Sequence, residues 1–179
     1  MYKFAAAEPH ESIIYGAARP KHTKEAVEQW IEFMQIQKIE KICCLLESDR
    51  LKRYRVDLLE TYREKFGEEC LLWQPVRDFQ LPQSRVLIQN IIPFLISANE
   101  QNQKTVVHCA GGVGRTGIVL AAWLVSCRGF SNRDALRAVK KNKRNPYETV
   151  IAALFKCQNP YRARQKLDFL LDDCRHVFV

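Results

Sequence analysis

The chain has 179 residues, 47% of them hydrophobic, with only seven glycines and seven prolines; this suits one domain over 1–179 with a sizeable core and excludes a disordered chain. The formal net charge of +8 comes largely from clusters at Arg50–Arg55, Arg137–Arg144 and Arg162–Lys166, which read as solvated faces that would also steer anionic substrates, and no aromatic-rich RNA-binding signature accompanies them. No apolar run approaches the roughly 20 residues of a membrane span, and the apolar part of the opening stretch Met1–Pro9 is too short for a secretory leader, so the expectation is a cytoplasmic protein.

Taken in order, Ser12–Pro20 reads as a strand ending in a turn. Thr23 is a candidate N-cap for a helix whose apolar positions are Val27, Trp30, Ile31 and Met34. Ile39–Leu46 is a compact apolar run that predicts a buried strand. Leu51–Phe66 has helical periodicity and stops at Gly67. Cys70–Trp73 predicts a third short strand, followed by a loop, Gln74–Pro82, in which Pro75 and Pro82 flank Asp78. Gln83–Asn102 reads as a helix that Pro93 should kink or break. Thr105–Val107 is a further strand, Ile118–Val125 the body of a helix, and Gly129 with Ser131 a stop and a cap for another, ending near Asn142. This alternation predicts an α/β fold with a central, mostly parallel sheet of four to five strands flanked by helices.

Between the last strand and the apolar helix lies His108-Cys-Ala-Gly-Gly-Val-Gly-Arg-Thr-Gly117, a glycine-rich turn into a helix N-terminus. Amide groups in such a turn can converge on an oxyanion, and the helix dipole adds to the attraction. Cys109 stands at the start of the turn, where that field favours thiolate and hence nucleophilic attack. Arg115 offers a planar fork for two phosphate oxygens. The amides of Ala110, Gly111, Gly112, Val113 and Gly114 complete a phosphate-binding cradle. Gly112–Gly117 also fits the dinucleotide fingerprint GxGxxG, but that needs an acidic residue on a second strand about 20 positions on, and Ser131–Arg144 is basic and helical in character. The lysine of a nucleotide-triphosphate loop is absent as well. Seven cysteines without a CxxC pair and four scattered histidines build no zinc or disulfide framework, so reduced thiols and no metal are expected.

The His-Cys, five residues, Arg, Thr signature resembles that of the cysteine-dependent protein tyrosine phosphatases. Length places the chain nearest their compact dual-specificity branch, and the Cys-x-Gly-Gly-x-Gly-Arg form is similar to that of the cyclin-dependent-kinase-associated phosphatases. The weaker resemblance runs from about Ile13 to about Leu170. It implies a phosphatase fold and hydrolysis through a cysteinyl-phosphate, with no cofactor, by a monomer acting on phosphorylated protein. It also implies a general acid on a loop roughly 30 residues before the nucleophile, which is the place of Asp78. Asp49 and Asp57 abut predicted helices and fit that role less well.

In the same terms Thr116 would donate to the cysteine sulfur, His108 would orient the loop, and Arg144-Asn-Pro resembles an Arg-Pro loop interrupted by an asparagine. Pro160–Phe169 resembles the family's final helix, where Gln165 is a candidate to position the hydrolytic water. Cys43 and Cys44, adjacent on a predicted central strand, are candidates to form a protective disulfide with an oxidised Cys109. The lysine-free cradle and the presence of Asp78 favour phosphoprotein over phosphoinositide or RNA substrates. The choice between phosphotyrosine alone and phosphoserine or phosphothreonine as well rests on pocket depth. A silent phosphate-capture module is the rival, against which Cys109, Arg115 and Asp78 all count.

Overall fold

A computed structural model describes residues 2–148, 151 and 159–175. Its sheet has five strands, β1 (Ala5–Ala6), β2 (Ile14–Ala18), β3 (Lys41–Cys44), β4 (Leu71–Trp73) and β5 (Thr105–Cys109), in the order β1-β2-β5-β3-β4. Only the β1–β2 pair is antiparallel. Central β5 is buried along its length and pairs in parallel with β2 and β3, Ala18 opposite Cys109 and Cys44 opposite His108. The parallel strands therefore end near one level, and the residues that follow them share a rim.

Helices cover both faces. On one side α1 (Lys24–Ile36) and α3 (Leu58–Phe66) pack Trp30, Met34, Leu58 and Tyr62 against Ile42, Cys44 and Val106. On the other lie α4 (Ser84–Val86), α5 (Ile92–Glu100), α6 (Gly114–Cys127), α7 (Asn132–Lys141) and α8 (Pro160–Arg175). Helix α6 is central there, buried from Gly114 to Val125. Local chemistry sets the boundaries. Thr23, Asp57 and Ser131 each accept an amide hydrogen bond as the N-caps of α1, α3 and α7, from Ala26, Glu60 and Asp134, contacts typically worth about 1 kcal/mol each. Gly129, at φ +70°, ends α6.

Three expectations change. The helix expected over Leu51–Phe66 is shorter: Leu51 instead closes the separate α2 (Ser48–Leu51), Tyr54 then turns inward with its hydroxyl donating to the Pro20 carbonyl at 3.1 Å, and α3 starts only at Leu58 behind its Asp57 cap. Pro93 breaks nothing. A π turn over Leu87–Ile91 joins α4 to α5 without interruption, and Gln89, whose carbonyl would lose its i+4 partner to the proline, lies within that wider turn. The two-residue strand β1, too short for any pattern, was not predicted, and it brings the sheet to five strands.

Candidate active site

Each part of the site follows the C-terminal end of a parallel strand: Arg19 follows β2, Glu47 follows β3, Val76 and Asp78 follow β4, and residues 110–113 follow β5. Such rims are where open α/β sheets bind ligands. The turn after β5 approaches the chain closely. Gly112 sits at φ +63°, and a Cβ there would fall 2.4 Å from the Ala18 nitrogen, so only glycine fits. Arg144, buried, braces the turn by donating to the carbonyls of Gly112, Gly16 (2.6 Å) and Lys3. Burial pulls the Arg144 guanidinium down to about 10 while Cys109 pulls the other way, so it stays charged at neutral pH. Gly16 makes room for this brace, since a Cβ would lie 2.7 Å from Thr116 Cγ2 and 3.1 Å from Arg144 Nε.

Cys109 is 2% exposed, at the floor of the turn. The Thr116 hydroxyl donates to its sulfur at 3.1 Å, so the expected hydroxyl–sulfur contact is present. None of the amides of residues 110–113 donates a hydrogen bond among the described residues, which leaves them for an anion. The buried Arg115 guanidinium donates through Nη1 to the Val76 carbonyl at 2.8 Å and meets Asp78 Oδ1 through Nη2 at 3.1 Å. Asp78 is further fixed from β3 and α2. Its amide donates to Glu47 Oε2 at 3.2 Å, and Arg50 Nη2 lies 3.5 Å from its Oδ2. Nucleophile-loop arginine and candidate acid therefore stand together, although 37 positions apart in sequence.

His108 turns one ring nitrogen toward the Cys109 backbone and the other toward the helix layer. Trp30 Nε1, which can only donate, donates to the Tyr62 hydroxyl at 2.9 Å, and that hydroxyl is 3.1 Å from His108 Nε2. The Tyr62 proton is then best placed on Nε2, which puts the ring proton on Nδ1. Nδ1 is buried beside the Cys109 backbone without a hydrogen bond of good geometry. Burial, reinforced by Arg19 and Arg115 and opposed by that backbone contact, pushes the imidazole down to about 3, so the ring is neutral and ties β5 to α3.

Gln165 is exposed on α8 and has no hydrogen bond to the site among the described residues. Cys43 and Cys44 are buried free thiols pushed up by burial, Cys44 to about 12. Cys43 shares the packing cluster of Cys109, whereas Cys44 points to the opposite face yet feels the charge of both Cys109 and Arg115. Asp49 pairs with Lys52 in solvent and Asp57 caps α3, so neither approaches the cradle.

Sequence reasoning missed Glu47, Arg19 and Glu148. The first two carry no motif, but each follows a parallel strand, and that position is the signal that could have found them. Glu148 comes from the segment after α7 and lies flat against Gly114: a Cβ on that glycine would meet its Oε2 at 2.2 Å. Burial and Asp78 push its carboxyl up, against the Gly114 amide, Lys3 and Arg115.

The model of the dual specificity phosphatase catalytic domain matches residues 24–159, and the chain belongs to that family. The dual specificity protein phosphatase Mpk3 of Drosophila melanogaster is 29% identical over 105 residues, 54% of this chain but only 25% of that relative's length. Among solved structures, Tk-PTP in its active form is similar with a TM-score of 0.66 at 22% identity, covering 88% of this chain and 92% of that one. Kinase associated phosphatase with its catalytic-site cysteine replaced by serine is similar with a TM-score of 0.63 at 22% identity, covering 72% and 74%. These two likenesses concern the fold. No helix among the described residues is long and apolar enough to cross a membrane.

Proposed function

We propose that the chain hydrolyses phosphate monoesters on phosphoproteins, phosphotyrosine first, through a cysteinyl-phosphate. The observation that carries this is the Arg115 fork, which holds Asp78 at 3.1 Å in the same pocket where Thr116 holds the Cys109 sulfur at 3.1 Å. Cys109 attacks phosphorus as Asp78 protonates the departing oxygen, so the P–O bond breaks as the S–P bond forms. Water then attacks phosphorus with the Asp78 carboxylate as base, and the sulfur leaves toward the Thr116 hydroxyl. Arg115 and the unpaired amides of 110–113 face the charge that develops on the equatorial oxygens. The lysine-free cradle and the presence of an acid support a phosphoprotein substrate.

Turnover of an aryl phosphate across a pH series tests this. Cys109→Ser should abolish turnover. Asp78→Asn should lower it by about 10²–10⁴. An inert native protein in reducing buffer would sink the proposal and leave a phosphate-capture module in its place.

A further inference from the structure

The brace behind the cradle has a far end that the mechanism does not use. Arg144 finds its acceptors in three places: the Gly112 carbonyl after β5, the Gly16 carbonyl in β2 at 2.6 Å, and the Lys3 carbonyl just before β1. The neighbouring Tyr2 carbonyl accepts the Ala18 amide at 2.6 Å, and Ala18 lies opposite Cys109 in the sheet. Ala18 is also where a Cβ on Gly112 would collide. The carbonyls of residues 2 and 3 thus meet groups that themselves touch the nucleophile loop.

The backbone here is in an unusual state. Lys3 sits at φ +49°, a left-handed conformation uncommon for a residue with a Cβ, while its side chain is exposed. Lys143, immediately before Arg144, is left-handed too, at φ +62°. Both partners of the contact are therefore set by bends that their surroundings must hold. Around Lys3 those surroundings are aromatic. Tyr2 meets the Trp30 ring edge-on at 4.5 Å and lies 5.0 Å from Phe33, while Phe4 stacks on Tyr15 at 4.8 Å and meets Phe33 edge-on at 5.4 Å. Lys104 Nζ covers the stack, 4.3 Å from the Tyr15 centroid and 5.8 Å from that of Phe4. Asn142 donates to the Ala6 carbonyl at 2.9 Å, which ties the same segment to the turn leading to Arg144.

We infer that residues 2–4 are a strap that positions the phosphate cradle, with Tyr2 and Phe4 as its anchors and the Lys3 carbonyl acting through Arg144 on Gly112. None of the three touches the reacting atoms; each is a positioning residue. In a trans peptide the carbonyl and the following amide point in opposite directions, so the contact that holds the Gly112 carbonyl turns the Val113 amide the other way, toward the cradle. A loosened strap leaves that peptide free to turn, and the cradle loses an aimed donor. The kinetic side of the inference rests on the hydrolysis proposed above; the binding side does not.

The test measures calorimetric binding of inorganic phosphate to Cys109→Ser, and aryl phosphate turnover by the chain with its cysteine intact. Lys3→Pro fixes φ at about −65° and turns the carbonyl away from Arg144. It should raise the phosphate Kd about tenfold and lower kcat/KM by a like factor. Lys3→Gly keeps the carbonyl and accepts a positive φ, so it should restore both values. Phe4→Ala should move both in the direction of Lys3→Pro. In an Arg144→Met background, Lys3→Pro should add little, since the two changes break one contact. Lys3→Gly as weak as Lys3→Pro would assign the effect to the lysine charge that Glu148 feels, and would overturn the strap. Additive losses in the Arg144→Met background also overturn it, as does a Phe4→Ala chain that is less stable to urea yet binds phosphate as the native chain does. No turnover by the native chain, with phosphate binding still weakened by Lys3→Pro, would keep the strap and reject the hydrolysis.

Discussion

Arg115 holds the acid loop through the Val76 carbonyl and Asp78 while facing the cradle that is to receive a phosphate, so one guanidinium couples acid placement to substrate binding. Glu148 bears on the same balance. Its carboxylate lies against Gly114, the first residue of α6, at the positive helix end that an incoming phosphate would use. Removing that charge while keeping the shape should favour the phosphate. Glu148→Gln is expected to tighten inhibition by inorganic phosphate about two- to fivefold; an unchanged inhibition constant would show that the two anions do not compete. Residues at this scale were unevenly legible. Cys109, Arg115 and Thr116 are contiguous enough to form a motif, and Asp78 was singled out by the acid loop that the resemblance implies. Glu47, Arg19 and Glu148 reach the site only through the fold, from segments with no chemistry of their own in sequence.

At the scale of elements, the loop between β5 and α6 keeps its shape because Arg144 reaches it from beyond α7. The Arg-Pro resemblance flagged the residue, but its buried role binding the Gly112, Gly16 and Lys3 carbonyls depends on partners 32, 128 and 141 positions away. Arg144→Met fills the space yet leaves three carbonyls short of a donor, and should cost roughly 3 kcal/mol or more. Urea denaturation of the variant measures it; a cost under about 1 kcal/mol would mean the brace is dispensable. Helix boundaries were readable wherever a cap residue supplied a local hydrogen bond, as at Thr23, Asp57 and Ser131. They were misread where a side chain answered to tertiary contacts instead. Tyr54 breaks a periodic pattern by turning to Pro20, and the π turn before Pro93 absorbs a missing amide that periodicity alone treats as a break.

For the molecule as a whole, the neutral buried His108 couples stability to pH. Its folded value of about 3 lies far below the roughly 6.5 of an exposed histidine, so below about pH 6.5 the unfolded chain binds a proton that the folded one does not. Stability should therefore fall with falling pH, at up to ~1.4 kcal/mol per unit between those values. Between pH 7 and pH 5 this amounts to about 2 kcal/mol in urea melts, and His108→Gln should remove it. A native chain equally stable at both pH values would contradict the buried neutral ring. The sheet class and its helical cover were legible because apolar periods and strand–helix alternation are whole-chain signals.

The register that ends β2, β3, β4 and β5 on one rim gives the site a further property. Arg19, Glu47, Asp78 and the cysteine loop come from stretches far apart in sequence that meet only when the sheet is assembled, so a fragment holding the Cys109–Thr116 motif alone lacks the acid. A folding intermediate in which β4 has not docked carries the reactive cysteine and its arginine without the acid that would put them to use.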